Sequence, residues 1–343
     1  MLRIALVGCG RISKNHIEAI EALRQEGKAQ LVGVCDLLPD RAEAAAAVAG
    51  SPCRPFTDYA TMLREVECDL VSLCTPSGLH PRHAIQAARA GRHVLSEKPL
   101  GTSLAAVDEA IRVCDEAGVL YMEVKQNRLN PPIRLLRRAL EAGRFGRLHM
   151  ITANVFWTRP QEYYDQAPWR GTWEFDGGCL SNQAAHYVDM VQWMGGSVEQ
   201  VFALSSTLGR RIEAEDTITV GLKFRSGAIG SINVSVLTYP RNLEGSITVM
   251  GERGTVRVGG VAMNRIEQWQ FADADPMDGE AEQASYDTSS VYGTGHGVLY
   301  ARLPEALQDG GAGVVLAREG RKTVALLERA YGNRQERVRE EAE

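Results

Sequence analysis

Three groups of residues in this 343-residue chain have the types and spacing for chemistry. The first is Gly8-Cys9-Gly10-Arg11-Ile12-Ser13, between an apolar strand-like run and a helix-like stretch. It matches G-x-G-x-x-G/A except that Ser13 takes the third place. In such a turn the first glycine permits the tight bend and the second lets backbone approach a pyrophosphate. The helix behind supplies N–H groups and partial positive charge. Asp36 ends the next strand-like run, 26 residues beyond Gly10. A carboxylate there can accept from both ribose hydroxyls of an adenosine and repels a 2′-phosphate, which favours NAD over NADP. Arg41 is the nearest following arginine. A plain strand–turn–helix without a dinucleotide would carry the same glycines.

The second group is Ser96-Glu97-Lys98-Pro99. Lys98 follows an apolar strand and can stabilise negative charge developing on an oxygen, or it is an ordinary surface lysine. The third is His186 with Asn182 four residues earlier. On a continuous helix the two share a face. Imidazole suits proton removal near neutral pH, and a structural helix histidine is the alternative. His186 and Asp189 are three apart, and His80, His83 and His93 stand alone. None has the spacing of a zinc site, so no metal is expected.

The elements that must position these groups follow from periodicity. Strand-like runs at Arg3–Val7, Gln30–Asp36, Leu70–Thr75, His93–Glu97 and Leu120–Val124 alternate with helix-like stretches at Asn15–Glu26, Arg41–Ala49, Pro81–Ala90 and Leu104–Ala117. Such alternation predicts βαβ units, and the nearly continuous apolar strands predict a parallel sheet covered on both faces. A helix is predicted over 131–143, opened by Pro131 and Pro132. Strand-like runs then follow at 148–157, 198–207, 216–224, 228–236, 244–250 and 254–258, interrupted by one helix over 181–194. This predicts an α+β domain on an antiparallel sheet. Helices are expected over 297–309 and 313–330, a surface loop at 273–282, and fraying of the charged tail Gln335–Glu343. The predicted domains are 1–125 and 126–343, with the last helices able to pack back on the first domain.

Composition narrows the function. With 38 Lys plus Arg against 43 Asp plus Glu, the chain has no basic excess for nucleic acid. No apolar run reaches membrane-spanning length and no signal peptide opens the chain. Seven cysteines without a C-x-x-C pair read as reduced thiols in a cytoplasmic protein. The 156–175 stretch concentrates Trp157, Tyr163, Tyr164, Trp169 and Trp173 with Arg159 and Arg170. Flat apolar faces suit a sugar and guanidinium groups suit a carboxylate or diphosphate, although such residues also pack at subunit interfaces.

The Gly8–Ile12 turn, Thr75-Pro76-Ser77-Gly78-Leu79-His80 and Ser96-Glu97-Lys98-Pro99 together resemble the glucose–fructose oxidoreductase/inositol dehydrogenase family over essentially the whole chain. The resemblance implies an α/β Rossmann domain, then an α+β domain with a large, mostly antiparallel open sheet, and assembly into dimers or tetramers. It implies NAD held by Gly8, Gly10, Arg11, Ile12, Asp36, Thr75, Pro76, Ser77, His80, Glu97, Lys98 and Gln126, with Trp169-Arg170 reaching the nicotinamide carboxamide. Many relatives carry an aspartate at the position of Asn182, in a triad with the lysine and histidine. Here an amide stands there, which shifts proton acceptance onto His186, assisted by Lys98.

A longer segment, NVFWTRPQEYYDQAPWRGTWEFDGG from Asn154 to Gly178 followed by Ser181–Asp189, with Lys125–Arg128 before it, is similar to bacterial UDP-N-acetylglucosaminuronate 3-dehydrogenases. Those enzymes supply 3-keto nucleotide sugars for the diacetamido uronic acids of O-antigens. That likeness implies substrate contacts from Lys98, Arg159, Tyr163, Asn182, Gln183, His186, Tyr292 and His296. Oxidation of another polyol such as inositol, glycoside cleavage through transient oxidation, and a nucleotide-binding sensor of the same fold are the competing expectations.

Overall fold

The computed structural model describes residues 1–288, 290–332 and 334–336. In chain order the elements begin β1 (Leu2–Val7), α1 (Ser13–Gln25), β2 (Ala29–Cys35), α2 (Pro39–Ala47), β3 (Arg54–Phe56), α3 (Tyr59–Glu65), β4 (Leu70–Leu73), α4 (His80–Arg89), β5 (His93–Ser96), α5 (Leu104–Glu116) and β6 (Tyr121–Glu123). Next come α6 (Pro131–Glu141), β7 (Leu148–Phe156), α7 (Gln161–Asp165), α8 (Gly178–Ser181), α9 (Ala185–Gly195), β8 (Val198–Ser206), β9 (Thr217–Phe224), β10 (Ile229–Ser235), β11 (Glu244–Gly251), β12 (Gly254–Gly259), β13 (Arg265–Phe271) and α10 (Ala281–Ala284). The chain closes with α11 (Gly295–Gln308), β14 (Val315–Leu316), α12 (Ala317–Gly332) and β15 (Arg334–Glu336). Two compact units result, one of Met1–Gln126 with Thr294–Val324 and one of Asn127–Gly293 with the chain from Ala325 onward.

The first unit is built on a sheet ordered β14-β6-β5-β4-β1-β2-β3, parallel except for β14 at its edge. Ile4–Val7 and Leu70–Leu73 are buried along their lengths, as strands covered on both faces require. Strand order reverses at β1, with β2 on one side and β4 on the other. The crevice of such a sheet opens beyond the carboxyl ends of those strands, where the Gly8 turn and the Thr75 turn begin.

The second unit is an eight-stranded sheet ordered β13-β12-β11-β7-β10-β9-β8-β15. It is antiparallel except at the β7/β10 and β8/β15 pairs. Ile151, Val155, Val220, Ile232 and Val249 share a core with Ile133 and Leu136 of α6 and with Tyr187, Val188 and Val191 of α9. Alternation along β8 buries Val201 and Ala203 there and leaves Phe202 and Leu204 exposed.

The fold class matches the expectation, and several elements differ. The helix expected over 181–194 is two: α8 ends at Ser181 with Asn182 as its cap, the chain turns through Ala184 at φ −99° and ψ 3°, and α9 starts at Ala185. Asn182 and His186 therefore do not share one helix face. Gly177 and Gly178, both at positive φ, lead the chain into α8, and the break between the two helices follows at 182–184. The acidic 273–282 stretch is a 3-10 turn at Pro276–Glu280, capped by Asp275, running into α10. Of the tail, Arg334–Glu336 pairs with β8, and residues 337–343 lie outside the described residues. No helix among the described residues is long and apolar enough to cross a membrane.

Candidate active site

In the first unit, Gly8 sits at φ +91°, and a Cβ there would lie 2.7 Å from the carbonyl of Cys74. Only glycine fits this approach of the turn to β4. A Cβ on Gly10 would meet no protein atom within 4 Å, so the chain itself does not demand that glycine. Ser13 is buried, and its hydroxyl donates to Gly10 O at 2.6 Å, so the third position closes the turn by hydrogen bonding. No side chain caps the N-terminus of α1. The Ser13 and Asn15 N–H groups donate to Gly10 O at 3.3 Å and Ile12 O at 3.1 Å, and the positive end of the helix dipole stands at the turn, where an anion is favoured. Arg11 is exposed and Ile12 half-buried beside them. Asp36 accepts the N–H of Cys9 at 2.8 Å and of Leu38 at 3.0 Å, which orients the carboxylate and leaves lone pairs for ribose hydroxyls.

Further along the sheet edge, Ser77 is buried and Thr75 and Pro76 half-buried. His80, expected among the cofactor contacts, is an internal brace. Its Nδ1 lies 2.8 Å from Pro99 O and its Nε2 2.8 Å from Thr75 O, tying the Thr75 turn to the Lys98–Pro99 turn. Burial pushes its pKa down, against the two carbonyls that favour the charged ring. Gln126 is also buried, against Gly295.

Glu97 is the centre of a buried network. His16 Nε2 donates to Glu97 Oε1 at 3.0 Å, His296 Nε2 reaches the same oxygen at 3.3 Å, and the Lys98 N–H donates to Oε2 at 3.1 Å. Nδ1 of His16 lies 2.7 Å from the Tyr300 hydroxyl and 3.0 Å from Ser72 Oγ. Burial alone would push Glu97 up, but the imidazole hydrogen bonds outweigh it and hold the carboxyl well below the usual range. Burial pushes His16 down, so the network holds a carboxylate and a neutral imidazole. His296, expected to meet substrate, is 4% exposed inside this network. Lys98 itself is half-buried. His16, Glu97 and His296 also bring three ligand-type atoms within 4.8 Å of one another, and these are already joined by hydrogen bonds.

In the second unit, Tyr163 gathers two guanidinium groups. Arg170 lies over its ring at 4.0 Å and Arg159 at 5.5 Å, and Arg170 Nη1 also donates to Tyr163 O. Trp169 lies under Arg170 at 5.3 Å. These four expected residues form one cluster. Asp189 takes a two-pronged ion pair from Arg128 at 2.7 Å. Gln183 and His186 are buried, Asn182 and Tyr292 half-buried.

Two acids missed by the sequence reading hold the segment that carries Asn182. Asp176, 1% exposed, accepts the Gly171 N–H at 2.7 Å through Oδ2 and the Asn182 Nδ2 through Oδ1. Glu215 Oε1 accepts the Leu180 N–H at 3.0 Å and the Tyr331 hydroxyl at 2.9 Å. A Cβ on Gly178 would fall 1.9 Å from Glu215 Oε2, so glycine is required opposite this acid. Burial pushes the Glu215 carboxyl up to about 7. The carboxylate beside a glycine pair at Asp176-Gly177-Gly178 was the available signal for the first acid. Nothing local marks the second.

Comparison with known proteins places this geometry. Residues 2–124 match the oxidoreductase family model with an NAD-binding Rossmann fold, and residues 133–257 match the GFO/IDH/MocA C-terminal domain. The chain is 52% identical to the WlbA dehydrogenase of Bordetella pertussis, whose structure is a complex with NADH and UDP-GlcNAcA. The TM-score is 0.92, covering 97% of this chain and 95% of that one. Similarity to the WlbA dehydrogenase of Chromobacterium violaceum, in complex with the same two ligands, is 47% at a TM-score of 0.90, covering 97% and 93%. A D-apiose dehydrogenase of Paraburkholderia graminis is 27% identical over 95% of this chain and 86% of its own. The glycine turn, the two sheets and these likenesses agree, and the chain belongs to the GFO/IDH/MocA family of NAD-binding oxidoreductases.

Proposed function

We propose that this chain oxidises the 3-hydroxyl of UDP-N-acetyl-D-glucosaminuronate to the 3-keto sugar with NAD, as a step toward diacetamido uronic acids of O-antigens. The observation that carries the reading is the pair of homologous dehydrogenases, 52% and 47% identical across nearly the whole chain, held with NADH and UDP-GlcNAcA.

The residues present fit NAD. The Gly8 turn and the uncapped end of α1 suit its diphosphate, and the oriented Asp36 suits its adenosine ribose. NAD supplies the hydride acceptor when bound. In this reading His186 takes the proton of the substrate hydroxyl, and the Lys98 ammonium steadies the oxygen as charge develops on it. A cation acting on the same hydroxyl favours neutral imidazole, the form a base needs. Asn182 cannot hold charge, and its carboxamide orients the hydroxyl. The two guanidinium groups on Tyr163 suit the diphosphate or the uronate carboxylate by paired hydrogen bonds. Gln183 and Tyr292 are further substrate contacts, whereas His296 acts through Glu97.

Mixing the protein with NAD and UDP-N-acetylglucosaminuronate tests the proposal. NADH absorbance should rise and a 3-keto product appear by mass spectrometry, and absence of both rejects the substrate. The D-apiose dehydrogenase likeness favours a second reading, oxidation of a free sugar or polyol. Activity that survives removal of the UDP moiety would favour it.

The exposed apolar side chains of Phe202 and Leu204 on the outer sheet face support a homo-oligomer, dimer or tetramer, joined there. Light scattering reads the mass. The seven free cysteines support a reducing, cytoplasmic setting.

A further inference from the structure

We propose that Asp176 is a positioning residue that sets the orientation of the Asn182 carboxamide and couples it to the turn carrying Trp169 and Arg170; this rests on the role given to Asn182 above. The argument starts from what a carboxylate can do. It only accepts hydrogen bonds, so the amide group facing it must be Nδ2 and not Oδ1. With Nδ2 on Asp176 Oδ1, the Asn182 oxygen is turned away from the acid. That oxygen is the acceptor a substrate hydroxyl would use.

The other oxygen of the same carboxylate accepts the Gly171 N–H at 2.7 Å, next to Arg170. Asp176 itself is held by its own N–H on Thr172 O at 3.1 Å, and Gly177 donates to the same carbonyl at 2.8 Å. The acid is therefore fixed within the 171–177 loop and is 1% exposed. From the far side, Glu215 fixes Leu180 and excludes any side chain at Gly178. The Asn182 side chain thus leaves a segment clamped at both ends. Its amide donates to a carboxylate whose other oxygen fixes the loop bearing the proposed anion-binding arginine.

The pairing explains why an amide serves at position 182. An aspartate there would set two carboxylates against each other inside the protein, and they would share a proton or splay apart. The charge belongs to Asp176, and the neutral partner presents its oxygen outward.

A swap experiment tests the pair. Asp176→Asn and Asn182→Asp are made singly and together. Each single variant should lower kcat about tenfold or more while the KM for NAD stays near that of the wild type. The double variant restores a carboxylate–amide pair with an acceptor at both positions and should recover most of the lost kcat and melting temperature. Melting curves of the four proteins form a cycle that needs no substrate, so coupling between the two positions can be read even if UDP-N-acetylglucosaminuronate proves not to be turned over. Additive melting shifts overturn the pairing. An Asp176→Asn enzyme that melts lower with wild-type kcat and KM overturns the positioning role and leaves Asp176 a brace only. Absence of wild-type product rejects the substrate alone.

Discussion

The Glu97 carboxylate accepts the backbone N–H of Lys98 at 3.1 Å, which anchors the main chain of the proposed oxygen-stabilising lysine to a buried charge. The anchor works because Glu97 offers acceptors only, and N–H groups of His16, His296 and Lys98 converge on it. Glu97→Gln places a donor among donors. The variant should lose about 2–4 kcal/mol of stability and fall in kcat, measured by denaturant melts and steady-state rates. A variant with wild-type melts and rates would show that the anchor is dispensable.

Asp36 orients itself on Cys9 and Leu38 and carries the nucleotide preference. Asp36→Asn removes the charge that repels a 2′-phosphate while keeping one acceptor. The ratio of kcat/KM for NADP over NAD should rise about tenfold or more. An unchanged ratio would place the ribose elsewhere.

Glu215 gives a pH signature. Burial raises its carboxyl from 4.5 to about 7 in the folded chain. The native state therefore binds more protons than the unfolded state between those values, and this group's contribution to stability falls as pH rises through that window. The slope approaches about 1.4 kcal/mol per pH unit at most. Glu215→Gln keeps an acceptor for the Leu180 N–H without the charge. Its melting temperature relative to wild type should climb between pH 4.5 and about 7 and then level off. A difference that does not vary with pH would show that the acid is not protonated in the fold.

Tyr163 organises both Arg159 and Arg170. Tyr163→Ala should raise the KM for the nucleotide sugar several-fold with a smaller change in kcat, because the loss is of ground-state binding. Titration kinetics check this. An unchanged KM would assign the aromatic cluster to packing.

What the sequence made legible was local. The Gly8 turn, Asp36 and the apolar strands β1 and β4 are written in consecutive residues, and the structure shows them as expected. The arginine and aromatic cluster was legible because Arg159, Tyr163, Trp169 and Arg170 lie within a dozen positions. β13 was missed although Ile266, Trp269 and Phe271 pack on the core. A register shift at Arg257/Val258 in its partner β12 accompanies a strand whose alternation changes phase. The continuous helix over 181–194 failed because the chain turns at 182–184 between α8 and α9, close to an acid 33 residues beyond Asn182 that holds Leu180 and that no local pattern marks. His16 and Tyr300 carried no spacing signal, since their hydrogen bond joins residues 284 apart.

The contact between Glu97 and His296 spans 199 residues. During synthesis the strands β1 to β6 therefore leave the ribosome long before the imidazole and the phenol that complete their interior. Until then the acid has no full set of donors and must stay hydrated, so the nascent Rossmann half cannot dry its own centre. A fragment ending at residue 126 would keep the whole glycine turn and still lack His296, Tyr300 and the edge strand β14. The nucleotide-binding half is thus sealed by residues translated long after its own parallel strands.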